Sequence, residues 1–225
     1  MKKRAYISVF DKTGIVELAK RLIDADWEIV STGNTCKVLN DNGVKATESS
    51  TITGFNELLG GKVKSLHPKI FASILANEDE IHSLDDMPFS LVIVNLYPFE
   101  MYRGVNADID TLTKNIDIGG VALLRAGAKN YKNVTVVCDI CDYTLDFDNV
   151  DEITRQKLAL KVFEKTSKYD FTIFEELSYN FGLNNDVTLK DSKAIYLDKV
   201  SDLRYGEYPH QKAALYSYDK QLDYE

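Results

Sequence analysis

The run Leu91-Val-Ile-Val-Asn-Leu96 constrains the fold more than any other stretch of the chain. Its apolar residues are consecutive rather than alternating, so a strand built from them has no face to offer to water. That is the pattern of a strand covered on both sides in a parallel sheet, which requires helices above and below it. The neighbouring segments supply them. Arg4 to Val9 alternates and turns at Asp11-Lys-Thr-Gly14, after which Ile15, Val16, Leu18, Ala19, Leu22 and Ile23 recur at helical spacing. Glu28-Ile-Val-Ser31 repeats the unit, with Thr35 expected to cap a helix through Leu39 that stops at Asn42-Gly43. Val44 to Thr47 predicts a third strand, Val134 to Val137 another, and Ile109–Asn115, Ala122–Lys129 and Glu152–Lys168 predict helices. Glu48 to Pro68 lacks sustained periodicity and is expected to be a long functional loop with one helical turn. This alternation argues for an α/β fold, a doubly wound parallel sheet flanked by helices.

The chain of 225 residues is long enough for one generous domain. A linker-like Gly182-Leu-Asn-Asn-Asp186 suggests a boundary near 185, giving a domain over 1–185 and a segment over 186–225 too short for a core of its own. With 27 Lys and Arg against 35 Asp and Glu the net charge is −8, and no basic tract exists beyond Lys2 to Arg4. Nucleic-acid binding driven by clustered cations is therefore disfavoured. No apolar stretch approaches a membrane span, and the N-terminus lacks a secretory signal, so a cytoplasmic protein without a membrane partner is expected. Three cysteines fit a reducing compartment. Cys138-Asp-Ile-Cys141 has redox-motif spacing but follows a strand instead of opening a helix, and His67, His82 and His210 show no paired ligand spacing. No metal site is expected.

In open α/β sheets ligands sit beyond the carboxyl ends of the strands. Polar clusters fall there: Ser8-Val-Phe-Asp-Lys-Thr-Gly14, Ser31-Thr-Gly-Asn-Thr35, Asn95-Leu-Tyr-Pro-Phe99 and Asp117-Ile-Gly-Gly120, with Lys64-Ser-Leu-His-Pro68 in the loop. Hydroxyls, a glycine and free N–H groups at a helix start make an anion site, and Lys12 adds a countercharge. The plainer reading is that Ser31 and Thr35 only cap. Asn95 in an apolar strand needs partners for its amide, in a structural network or with a ligand. Tyr97 is a core aromatic unless a cation lowers its pKa, and Lys64 gains interest only beside Ser65 and His67. Gly119-Gly120 leave N–H groups unshielded where an oxyanion could sit. Lys129 suits the far end of the same helix and would be catalytic only in a shared pocket.

Taken in order, these motifs resemble the IMP cyclohydrolase domain of the bifunctional purine-biosynthesis family that also carries AICAR formyltransferase. The resemblance runs through Ile7–Gly14, Ser31–Thr35, Thr53-Gly-Phe55, Gly61–Lys69, Asn95–Phe99, Asn115–Gly120 and Arg125–Asn130. Leu203-Arg-Tyr-Gly-Glu-Tyr-Pro-His-Gln211 looks like the opening of the formyltransferase domain, and with the chain ending at Glu225 no transferase activity is expected. The resemblance implies a methylglyoxal-synthase-like fold and closure of the FAICAR ring to IMP with loss of water. It implies no cofactor for that step, 10-formyltetrahydrofolate serving only the transferase, and a homodimer in the full-length protein.

Carried over by motif, Lys64, Tyr97, Asp117 and Lys129 are the catalytic candidates. Ser8, Lys12, Thr13, Ser31, Gly33, Asn34, Thr35 and Lys62 form the expected phosphate and ribose pocket, with Ser65, Asn95, Ile118, Gly119 and Gly120 nearer the base. The expected roles are a proton relay through Tyr97 tuned by Lys64, an oxyanion held by Lys129 and the N–H groups near Gly119, and Asp117 orienting the amide and Lys129. Phe10, Asn34 and Lys62 depart from the family's Ser, Gly and Arg. Phe10 loses a hydroxyl, Asn34 is expected to take a left-handed turn at some cost, and Lys62 loses the bidentate fork. A methylglyoxal synthase or a non-catalytic regulatory nucleotide-binding module of the same fold are the alternatives. A methylglyoxal synthase gives no reason for the Lys-Ser-Leu-His-Pro and Asn-Leu-Tyr-Pro-Phe motifs.

Overall fold

A computed structural model of the chain describes residues 3–61, 63–102, 107–182 and 195–217. Lys62 therefore lies outside the described residues. The chain divides into two compact units, Met1–Asn180 and Phe181–Glu225.

The first unit is a five-stranded sheet in the order β3-β2-β1-β4-β5, from β1 (Lys3–Val9), β2 (Trp27–Ser31), β3 (Ala46–Glu48), β4 (Leu91–Asn95) and β5 (Thr135–Val137). Every pairing is parallel. Leu91, Val92, Ile93 and Val94 of β4 are buried, as their unbroken apolar run requires. Alternate strand residues feed two cores. Tyr6, Val92, Val94 and Val136 pack with Ile70, Ile74, Leu123 and Leu124 on one face; Ala5, Ile7, Ile93 and Val137 pack with Ile15, Leu18, Leu22 and Leu39 on the other. The helices on these faces are α1 (Ile15–Asp24), α2 (Gly33–Asp41), α4 (Pro68–Leu75), α6 (Gly119–Lys129) and α7 (Glu152–Asn180), while α3 (Ser49–Thr53) and α5 (Ile109–Lys114) are short. Among the described residues no helix is long and apolar enough to cross a membrane.

Strand order reverses at β1: the chain builds outward through β2 and β3, then returns to lay β4 and β5 on the other side. The carboxyl ends of β1 and β4 therefore frame the crevice where doubly wound sheets bind ligands. Pairing in register brings Val9 opposite Asn95 there.

Three local expectations are corrected. Helix α2 begins at Gly33 with Thr32 as its cap residue, so Thr35 lies inside the first turn and caps nothing. The left-handed residue of that turn is Gly33, at φ 46°, and Asn34 is helical and exposed, so the strain expected of Asn34 does not arise. Helix α7 runs to Asn180, twelve residues past the expected Lys168, its buried stripe continuing through Tyr169 and Thr172.

The second unit contains a hairpin of β6 (Asp198–Leu203) and β7 (Ala213–Ser217), antiparallel with a bulge between Lys199 and Ser201. Gly206 makes the connecting turn close to Gln211, accepting no side chain without displacing it.

Candidate active site

The turn after β1 is fixed before any ligand arrives. Asn95, the one polar residue at the end of β4, accepts the N–H groups of Phe10 at 2.5 Å and Asp11 at 3.0 Å and donates to the Asp11 carbonyl at 2.9 Å. Its amide is thus engaged by the backbone and by the Tyr143 hydroxyl, which answers the desolvation that such a residue must offset. Asp11 in turn accepts from the Thr13 N–H and hydroxyl. The clasp presents Phe10, half of whose surface is exposed, edge-on to Tyr97 with ring centroids 5.0 Å apart. A phenyl ring at position 10 therefore builds an apolar wall beside the phenol where the family pattern offers a hydroxyl.

Several residues expected to hold phosphate are turned inward. Ser31 is fully buried and donates to the Ile7 carbonyl at 2.6 Å. Thr35, also buried, donates to the Val9 carbonyl at 3.0 Å and accepts the Val9 N–H at 3.3 Å. Both hydroxyls stitch α2 and β2 to β1, because a parallel edge offers carbonyls that these short side chains reach; neither faces the crevice. Ser8 and Thr32 share a bond of 3.1 Å, which either hydroxyl can donate. The Gly33 N–H is taken at 3.1 Å by Glu48, a carboxylate absent from the expected site although it ends β3 on the same sheet edge.

Three of the four catalytic candidates gather. The Lys64 ammonium reaches the Gly33 turn, where a Cβ on that glycine would lie 3.3 Å from Nζ. Lys12 donates to the carbonyls of Val9 and Phe10, and burial, with Lys64 beside it, pulls its ammonium below the usual lysine range. Asp117 accepts the Gly120 N–H at 2.7 Å and so caps α6. Burial pushes its carboxyl above the usual range, and the N–H groups of Gly120 and Tyr97 and the Lys64 ammonium offset this only in part. Burial and the Asp117 charge also push Tyr97 up. Both influences oppose ionisation of the phenol, so nothing here lowers its pKa as a nearby cation would.

Glycine is required on this floor for lack of room. A Cβ at Gly120 would stand 2.5 Å from Asp117 Oδ2, and one at Gly119 would stand 2.6 Å from Oγ of Ser65, which is buried. Ile118, the residue before them, is exposed. Beneath the floor, Tyr169 of α7 accepts the Asp117 N–H at 2.9 Å and donates to the Asn115 carbonyl at 3.5 Å. Neither Glu48 nor Tyr169 was among the residues expected from the sequence. Glu48 could have been found by applying the strand-end rule to β3, whereas a tyrosine in mid-helix carries no such signal.

Lys129 does not join the group. It ends the helix that Gly119 begins, so their Cα atoms are about 15 Å apart. The following Asn130 donates to the carbonyls of Ile74 and Ala76, and the Ser73 carbonyl next to them accepts from Phe89, just before β4. Lys129 is thus at the amino edge of the sheet, lining a separate groove of about 450 Å³ with Leu75, Asn77, Glu80 and Ser83. Motif order alone did not reveal this, since a helix of that length has its two ends on opposite sides of a sheet. Among the described residues no cluster of His, Cys, Asp and Glu could hold a metal ion.

Comparison with known proteins agrees with this architecture. Residues 14–122 match the MGS-like domain and residues 127–224 match the AICARFT/IMPCHase bienzyme family. The chain is 44% identical over 228 residues to the bifunctional purine biosynthesis protein PurH of Persephonella marina and 44% identical over 229 residues to that of Acetivibrio thermocellus. Each alignment takes in 96% of this chain and 44% of the relative, so the chain spans less than half the length of those proteins. The crystal structure of ForH superposes with a TM-score of 0.65 at 29% identity, covering 78% of this chain and 98% of that one.

Proposed function

Because the chain belongs to the AICARFT/IMPCHase bienzyme family, we propose that its first unit catalyses the cyclohydrolase reaction, closure of FAICAR to IMP with release of water. The observation that carries this reading is the convergence of Lys64, Tyr97 and Asp117, with Lys12, at the carboxyl ends of β1 and β4. Lys12 and Lys64 repel one another, and among the described residues neither has a carboxylate in ion-pair contact. A monoanionic or dianionic phosphate between them relieves that repulsion.

The chemistry needs few groups. The carboxamide nitrogen forms a bond to the formyl carbon of the same molecule and gives up a proton, while the formyl oxygen takes on charge and is protonated to a hydroxyl. That hydroxyl takes a second proton and leaves as water as its C–O bond breaks and the formamido nitrogen loses its own proton to form the ring C=N bond. Holding the two arms in attack geometry is the first contribution. Asp117, whose raised pKa makes it a stronger base than a free carboxylate, receives the nitrogen's proton. Tyr97 donates to the formyl oxygen, and Lys64 stabilises the charge that develops on it. Phe10 walls the heterocycle beside Tyr97. Lys129 has no part in this scheme. The reaction as drawn uses no metal or organic cofactor, 10-formyltetrahydrofolate belonging to the transferase reaction of the longer relatives.

The same reading assigns residues 1–185 to the cyclohydrolase domain and 186–225 to the start of the transferase region. It makes FAICAR and IMP the small-molecule partners, with no nucleic-acid or membrane partner. It implies homodimerisation in the full-length protein and a cytoplasmic location. Mixing the purified chain with FAICAR and following purine-ring absorbance tests it. Formation of IMP is expected, and an unchanged spectrum, as a methylglyoxal synthase or a regulatory nucleotide-binding module would give, overturns it.

A further inference from the structure

Asp117 is held at three points, and only one of them belongs to its own helix. Its carboxylate is bonded by the N–H groups of Gly120 and Tyr97, but the direction in which that carboxylate leaves the backbone depends on the Asn115–Asp117 segment between α5 and α6. That segment is tied down from outside. Tyr169, on a helix that begins more than thirty residues later in the chain, is only 7% exposed. Its hydroxyl accepts the Asp117 N–H at 2.9 Å and donates to the Asn115 carbonyl at 3.5 Å. Its ring stands edge-on to Phe99, at 6.2 Å between centroids, directly behind the Asn-Leu-Tyr-Pro-Phe turn that carries Tyr97. One side chain therefore touches both segments that present the site's acid and its carboxylate.

We propose that Tyr169 is a positioning residue of this site, its hydroxyl setting the aim of the Asp117 carboxylate relative to Tyr97 and Lys64. The proposal rests on the reading of Asp117 as the site's carboxylate. The phenol stays protonated at working pH, since burial pushes it up to about 12, so it remains able both to accept and to donate. A hydroxyl that only satisfied a buried N–H would contribute to stability and nothing else. This one bonds the N–H of Asp117 itself, two residues before the helix start at Gly119, so loss of the bond lets the segment that carries the carboxylate shift.

The test is Tyr169→Phe, which keeps the ring against Phe99 and removes only the hydroxyl, set beside Thr172→Val. Thr172 is buried on the same helix and donates to the Lys168 carbonyl at 2.9 Å, out of contact with the site. Tyr169→Phe is expected to lower kcat by about 10- to 100-fold, the larger figure matching a misplacement of about 1 Å, with KM within twofold. Thr172→Val is expected to leave both constants unchanged. Titration of the Asp117 carboxyl by carbon-13 NMR provides a readout that needs no turnover. Lys64 and the N–H groups of Tyr97 and Gly120 face that carboxyl, while the Tyr169 hydroxyl bonds the Asp117 backbone N–H, and the midpoint should move in Tyr169→Phe and stay in Thr172→Val. Wild-type chain inert toward FAICAR would defeat the cyclohydrolase reading alone, and the positioning role would then be decided by the titration. An unmoved midpoint, or unchanged kcat in an active enzyme, overturns the proposal.

Discussion

Replacing Gly120 with alanine adds one methyl group to the molecule and places it against the carboxylate on which the proposed chemistry depends. Gly120 is helical with a negative φ, so alanine is conformationally acceptable there. The obstacle is steric: the new Cβ would lie 2.5 Å from Oδ2, 2.9 Å from Cγ and 3.0 Å from Oδ1 of Asp117. Restoring an ordinary contact of about 3.4 Å requires the carboxylate to withdraw by roughly 0.9 Å. That withdrawal stretches the 2.7 Å cap from the Gly120 N–H. Losing the cap costs about 1 kcal/mol. Exchanging glycine for alanine within a helix returns up to about 1 kcal/mol. The two nearly cancel, so the thermal midpoint should move by only a few degrees. Activity should not be spared, because a displacement near 1 Å at a reacting group costs about 100-fold. Steady-state turnover of FAICAR and a melting curve on the same preparation measure both. Full activity with an unmoved melting temperature would refute the steric argument, and parallel loss of both would mean that the carboxylate's place is a matter of stability alone.

Other substitutions separate structural from chemical roles. Ser31→Ala should lower stability by about 1 kcal/mol, the value of a buried hydrogen bond, and leave the KM for FAICAR within twofold, since its hydroxyl is given to Ile7; a large rise in KM would return Ser31 to the binding pocket. Asn95→Leu should cost about 2 kcal/mol and raise KM, because two N–H groups and one carbonyl of the Phe10–Asp11 turn lose their partner; chemical denaturation and kinetics measure the two effects. Asp117→Asn should abolish turnover yet raise the melting temperature at neutral pH. The folded carboxyl titrates above its unfolded value, so its contribution is full below the unfolded pKa and is lost as pH rises through the raised folded one, a loss that the amide does not suffer. Melting curves of the two proteins should therefore diverge as pH rises through that window, and curves that stay parallel would contradict the shift. A thiol reagent at neutral pH should modify Cys141 alone in the native protein, since burial pushes Cys36 and Cys138 up to about 11, and all three after unfolding.

The elements that were legible in the sequence are those in which one physical demand dominates. Leu91 to Val94 admit no exposed face, and that alone places β4 at the centre of a parallel sheet with helices on both sides. The strand-end rule then leads to Lys12 and Tyr97, and the family resemblance to Lys64 and Asp117. Neither could say which way a hydroxyl turns. Ser31 and Thr35 stand at the correct edge, but a neighbouring carbonyl competes with any ligand for a short hydroxyl, and in both cases the carbonyl wins. Lys129 was misjudged because a motif preserves order and not distance, and an eleven-residue helix carries its last residue to the other edge of the sheet. The state of Tyr97 depends on burial that the sequence does not show: burial and the Asp117 carboxylate both oppose its ionisation. Tyr169 was beyond reach, since its contact with Asp117 joins residues 52 apart and exists only once α7 is packed.

The most direct test is a crystal structure of the chain grown with IMP. The purine should lie beside Phe10 within hydrogen-bonding distance of Tyr97 and Asp117, and the phosphate should lie between Lys12 and Lys64. Nucleotide found instead in the groove beside Lys129, or clear of those four side chains, would contradict the account.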